Sequence, residues 1–167
     1  MKDKAVGILD QNRVLAIATN RADGWPQATM VSYANDDILI YFVVSRQGQK
    51  FANIAADDRV SLVVGNTPQE PNAIKALSIA ARASEVRDPK QRQHAVKLLL
   101  DRHPGLAKLA PPPADHSAVM RAMPEIITIL DYSKGFGHAD ILTVSPGGVE
   151  MTPARDDDWG FGTAVKG

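Results

Sequence analysis

The sequence predicts a mainly β protein in which short antiparallel strands close into a barrel and a few inserted helices cover its mouth. Two observations predict it. Apolar runs of strand length recur along the chain, Val14–Thr19, Ile38–Val44, Arg59–Val64 and Glu125–Tyr132 among them, and such runs bounded by turn residues read as strands. In the first half they are joined by tight polar turns, Asn20-Arg21-Ala22-Asp23-Gly24 and Asn35-Asp36-Asp37, which suit hairpins and not the long crossovers of a parallel sheet. Roughly six to eight strands with two or three helices favour a closed barrel over a layered α/β fold.

In order, Ala5 to Gln11 forms a short amphipathic helix ending near Asn12, and Val14–Thr19 is a first buried strand. Asp23-Gly24 tips the hairpin, and Trp25-Pro26 starts the returning strand, where proline is tolerated at the first position. That strand, Gln27 to Tyr33, alternates with Ala28, Met30 and Ser32 on one side and Thr29, Val31 and Tyr33 on the other. Trp25 reads as a core or interface anchor. Ile38–Val44 is an unbroken β-branched and aromatic run, hence a central strand. The period then changes: Phe51, Ile54 and Ala55 fall on one face of a short helix that packs back toward it.

The loop between that strand and helix carries an electrostatic conflict. Arg46 and Lys50 bracket Gln47-Gly48-Gln49, placing two cations at a helix start that is already positive. Free backbone N–H groups and two cations make a phosphate-sized anion site. The alternative is a pair of ordinary solvated loop charges.

Beyond Asp57-Asp58, Arg59–Val64 is a fourth strand. Ala73 to Val86 reads as a longer strand through Ile74, Leu77, Ile79, Ala81 and Ala83, with a helix over the alanine-rich Ala76–Ala83 as its rival. Asp88-Pro89 is a helix start, an N-cap followed by proline, and Pro104-Gly105 stops that helix near His103. Val96, Leu99 and Leu100 should face inward, Arg92, Lys97 and Arg102 outward. Asp115–Ala122 suggests another short helix. Glu125–Tyr132 is a strand, Gly135 and Gly137 turn the chain into Ile141–Val144, and Gly147-Gly148 closes a hairpin into Val149–Met151. Residues 1–151 thus read as a single domain, and 152–167 as a tail that is acidic at Asp156-Asp157-Asp158, then aromatic and glycine-rich.

The 167 residues suffice for one domain with a substantial core. Formal charge is zero, so no global field favours nucleic acid or an anionic membrane, and anion recognition must be local. Absence of cysteine excludes disulfides and thiolate chemistry and favours a reducing compartment. With no apolar run of membrane-spanning length and no leader-like h-region, the chain reads as soluble and cytoplasmic. It holds no G-x-S-x-G, H-E-x-x-H, Walker or G-x-G-x-x-G pattern, so no catalytic residue is assigned. His94, His103, His116 and His138 lack metal-ligand spacing, and no metal site is expected.

The ordered series Ala18-Thr19-Asn20, then Asp23-Gly24-Trp25-Pro26-Gln27-Ala28-Thr29-Met30-Val31-Ser32-Tyr33, then IYFVVSRQGQKFANIAADDRVSLVV over 40–64 resembles the FMN-binding split barrel of the pyridoxamine 5'-phosphate oxidase-like proteins. The resemblance covers about Val14 to Val64 and continues weakly through Ala73–Val86. It implies an antiparallel split β-barrel and an FMN-dependent oxidoreductase that acts on a small molecule as a homodimer, with flavin at the dimer interface. It implies that Thr29, Met30, Val31 and Ser32 line the isoalloxazine, that Val43 and Val44 contact the flavin, and that Lys50 holds the phosphate with Arg46 or Gln49 beside it. Bound FMN would carry the redox chemistry itself. Thr29 replaces the strand-two arginine of the vitamin-forming oxidases, Ala34 stands where their substrate lysine falls, and Trp159 sits in DWGFG without their tryptophan-to-arginine motif. A general flavoprotein is therefore implied, and pyridoxamine phosphate oxidation is not. Two alternatives stay open: a haem-binding protein on the same barrel, with His138 or His116 as ligand, and a dimeric stress protein without cofactor. Trp159 and Phe161 either fold over the neighbouring subunit's flavin or belong to a disordered tail.

Overall fold

Residues 1–108 and 116–152 are described by the computed structural model. Val14–Asn20 (β1) and Pro26–Asp36 (β2) form the first hairpin, with Ile17 opposite Thr29. It turns over Gly24, whose φ of 84° is a conformation that favours glycine. Leu39–Ser45 (β3) returns antiparallel to β2. Gln49–Ala56 (α2) follows, then Arg59–Gly65 (β4), which pairs with β1, and Lys75–Glu85 (β5), which pairs with β4. The helical rival over Ala76–Ala83 does not form, because Leu77, Ile79, Ala81 and Ala83 all point into the core at period two.

Ser117–Asp131 (β6) is the strand that closes the barrel, and it corrects the expectation of a helix ending at Ala122. Its first half pairs with β3, from Ser45 opposite Ser117 to Ile40 opposite Ala122, while Met120 to Asp131 pairs with β5. Strand pairing, on both edges from Met120 to Ala122, outweighs the helix propensity of the alanines and methionine in this stretch. Beside Glu125 the register with β5 slips by one residue. This bulge moves the inward set from Ala118, Met120 and Ala122 to Ile127 and Ile129. The second half of β6 is thereby freed from β3 and pairs with Ala139–Ser145 (β7), which carries Gly148–Thr152 (β8) as an outer strand. Among the described residues the result is an antiparallel sheet of eight strands, six of them closed as a barrel.

Lys2–Gln11 (α1) plugs one end of the barrel with Ala5, Ile8 and Leu9. Pro89–Arg102 (α3) begins as expected, Asp88 accepting from the Gln91 N–H at 2.9 Å, and lies outside β2 and β3 on a second cluster of Ala34, Tyr41, Val86, Ala95, Leu99 and Val119. Two expectations about α3 fail. Leu100 is exposed and Ala95 takes the inward place. Arg102 turns inward: its guanidinium donates to the carbonyls of Leu9, Asp10 and Asn12 and to Asn35 Oδ1, and stacks 5.3 Å from the Tyr33 ring. It adds donors to the carbonyls at the end of α1, where the Leu9 carbonyl also accepts from the Asn12 N–H and the Tyr33 hydroxyl, a role that spacing along α3 does not reveal. In α2, likewise, Ala55 is exposed and Asn53 is buried in its stead. No helix among the described residues is long and apolar enough to cross a membrane. Trp159, Phe161 and nearly all of the tail lie outside the described residues.

Candidate functional site

The strands β2 and β3 separate where the site forms. They pair only from Tyr33 opposite Phe42 to Asp36 opposite Leu39. Toward the β2 start they splay, so residues 27–32 keep β1 on one edge and have no strand on the other among the described residues. An unpaired strand edge presents N–H and C=O groups that need partners. The gap is a groove of about 510 Å³, walled by β2 from Gln27 to Ser32, the end of β3, the first turn of α2, and Leu99 and Leu106 from the α3 side.

Of the predicted site residues, Thr29, Met30, Val31, Ser32, Val43, Val44, Gln49 and Lys50 all line this groove. Arg46 does not. Its guanidinium pairs with Glu85, Nη1 donating to Oε2 at 3.3 Å, and lies 5.5 Å from the Phe51 ring. The Arg46 guanidinium holds the Glu85 carboxyl below the usual carboxylate range. The two cations bracketing the loop therefore part company: Arg46 is held by Glu85 at the end of β5, and Lys50 sits on the first turn of α2.

Lys50 is half-buried and has no carboxylate partner among the described residues, and burial pushes its ammonium below the ordinary lysine value. Gly48 is the N-cap of α2 and supplies no side-chain cap, so the positive helix end also faces the groove. Thr29 Oγ1 is buried without a hydrogen-bond partner. A desolvated cation, an open helix start and an orphaned hydroxyl on one groove fit an anionic, hydrogen-bonding ligand, and the residues present fit a flavin phosphate and ring.

Sequence reasoning missed Gln27, Ser45, Gly48, Leu99 and Leu106 as lining residues. Gln27 had a signal, since period two puts it on the same side as Thr29 and Val31. The two leucines had none, because their place depends on how α3 docks. None of the four histidines lines the groove. His138 contacts Asp140 at 3.2 Å, His94 contacts Asp36 at 2.8 Å, His103 Nε2 lies 2.7 Å from the Tyr33 carbonyl, and His116 is exposed. No cluster suited to a metal ion occurs among the described residues.

Beside the groove the outer face of the barrel is uncharged over several strands. One row runs Met30, Ala16, Val63, Ser78 and Thr128, and the next Ala28, Ala18, Ser61, Ala80 and Ile126. Met30 is 66% exposed and Val63 51%, so large apolar side chains stand here among small and hydroxyl-bearing residues with no charge beside them.

A haem-binding protein of Mycobacterium smegmatis superposes with a TM-score of 0.73 at 21% identity, over 85% of this chain and 57% of that one. The chain thus spans little more than half of that protein's length. An FAD-binding protein of Mesorhizobium loti gives a TM-score of 0.60 at 23% identity, over 72% of this chain and 87% of that one. General Stress Protein 26 of Bacillus anthracis gives 0.63 at 20% identity, over 78% and 93%. At these identities the likeness is one of fold. No curated protein matches the chain. The pyridoxamine 5'-phosphate oxidase family model matches residues 1–130, in keeping with the split barrel, and the chain belongs to that family.

Proposed function

We infer that this chain binds FMN in the groove between β2 and β3 and works as a homodimeric, cytoplasmic FMN-dependent oxidoreductase on a small-molecule substrate. The observation that carries this reading is Lys50, a half-buried cation without a carboxylate partner among the described residues, at the start of α2. In this reading Lys50 and the α2 N–H groups hold the phosphate. Thr29 and the free β2 edge offer hydrogen bonds to the ring, and Val43, Val44 and Leu99 exclude water from it. Bound FMN would supply the electron transfer. The chain's own part is binding, orientation and dielectric.

The uncharged rows around Met30 and Val63 support a second copy packed over the groove's rim, which would complete the site across the dimer. Haem binding has a structural relative behind it, but the absence of a histidine from the groove speaks for flavin. A fluorescence titration of the purified protein with FMN tests the reading. We expect uptake with quenching of flavin emission, and no uptake would overturn it. Met30→Glu should shift the sedimenting species toward a monomer and weaken FMN binding together.

A further inference from the structure

Beneath the groove lies a polar cluster that the anion site does not use. Asn53 of α2 is 3% exposed, Thr19 of β1 2%. The Asn53 amide donates from Nδ2 to Thr19 Oγ1 at 3.0 Å and to Gln27 Oε1 at 3.2 Å, and its Oδ1 accepts from Gln49 Nε2 at 2.8 Å. Asn53 lines no part of the groove, whereas both glutamines do. Each glutamine amide is engaged from below through a different atom. Gln27 uses its oxygen on Asn53, which leaves its NH₂ to donate elsewhere, and Gln49 uses its NH₂, which leaves its oxygen to accept. A single buried amide thereby sets opposite hydrogen-bonding characters on two side chains of one site.

We propose that Asn53 is a positioning residue that sorts the groove's polarity, fixing Gln27 as a donor for a ring carbonyl and Gln49 as an acceptor for a hydroxyl on the chain that leads to the phosphate. The proposal rests on the flavin reading above and deepens it. A planar heterocycle bearing carbonyls, joined through a polyhydroxy chain to a phosphate, meets this order of groups: carbonyl toward Gln27, hydroxyl toward Gln49, phosphate toward Lys50. Asn53→Asp removes the donor while keeping the shape. Gln49 still donates to the carboxylate, but Gln27 must turn its amide to bond with it and then offers oxygen where it offered NH₂. The site meets a ring carbonyl with an acceptor, a mismatch of the kind that discriminates strongly in buried sites.

The test is FMN titration with visible spectra of wild type, Asn53→Asp, the Gln27→Met/Gln49→Met double variant and the triple variant. Asn53→Asp should weaken FMN binding about tenfold or more and move the visible flavin band, because a hydrogen bond to a ring carbonyl is lost. In the double-methionine background the same substitution should change affinity less than about twofold, since nothing is left for Asn53 to orient. Equal loss in both backgrounds would make its role purely structural and overturn the proposal. So would an Asn53→Asp protein with wild-type affinity and spectrum. Should Asn53→Asp not fold, Gln27→Met at the strand start decides, and an unmoved band overturns the assignment. Wild type that takes up no FMN overturns the flavin reading and this proposal with it, an outcome distinct from binding that is indifferent to Asn53.

Discussion

Three cations sit where helices meet the barrel, and the fold treats them in opposite ways. At the α1–α3 seam Arg102 spends its guanidinium on three backbone carbonyls and Asn35. At the barrel end Lys4 pairs with Asp131, whose carboxylate also accepts from Ser133 Oγ at 2.6 Å. At the groove Lys50 is half-buried beside apolar side chains and finds no carboxylate among the described residues. Partly burying a charge costs free energy unless a partner offsets it. The first two cations therefore stabilise the fold, and the third is a cost to the free protein that a bound anion would offset.

Substitutions break this contrast most sharply at Arg102. Arg102→Ala removes the guanidinium's hydrogen bonds to the Leu9, Asp10 and Asn12 carbonyls and to Asn35 together with its stack on Tyr33, and we expect a loss of about 3 kcal/mol in urea unfolding with little change in the affinity of folded protein for FMN. Lys50→Ala should do the reverse. It should cost roughly 1.5–3 kcal/mol of FMN affinity, about ten- to a hundredfold, by removing a charge-assisted contact, while the free protein's stability stays within about 0.5 kcal/mol of wild type. If Lys50→Ala unfolds the protein, or Arg102→Ala selectively abolishes flavin uptake, the contrast is wrong.

Smaller effects appear with pH. The Lys4 ammonium and the Ser133 hydroxyl hold the Asp131 carboxyl far below the usual carboxylate range. A depressed folded value means that this stabilisation is complete above the unfolded value of about 3.9 and is lost as pH falls through the folded one. Unfolding measured from pH 6 down to pH 2 should show falling stability in wild type and a shallower slope in Lys4→Met. Lys50 has the opposite sign of consequence. Its lowered folded value makes the charged form unfavourable in the fold, so its cost is present at neutral pH and fades as pH rises through that value. Bound FMN should raise the Lys50 value, which NMR titration of its Nζ resonance reads directly.

Strands were legible where one face is buried and period two is uninterrupted. β1, β4 and β5 follow from Leu15, Ile17, Val60, Leu62, Leu77 and Ile79, and the hairpin turn follows from Asp23-Gly24. The first half of β6 was not legible, because Ala118, Met120 and Ala122 carry no β-branched signal and are strand only through pairing with β3 and β5. The site divided in the same way. Thr29 to Ser32, Val43, Val44, Gln49 and Lys50 are contiguous in short segments that one groove unites. Arg46 left it for Glu85, 39 residues away, and no local pattern contains that distance.

By itself the chain's sequence determined the local grammar: alternation, turn chemistry, helix caps, and a loop that places cations at a helix start. These depend on neighbours within a few residues and need no knowledge of the rest. Only the tertiary structure decided which cation would keep a protein partner, where β2 and β3 part to open the groove, and that Asn53 would lie beneath Gln27 and Gln49. Each of those outcomes is a competition between contacts distant in sequence, and only the closed barrel brings the competitors together.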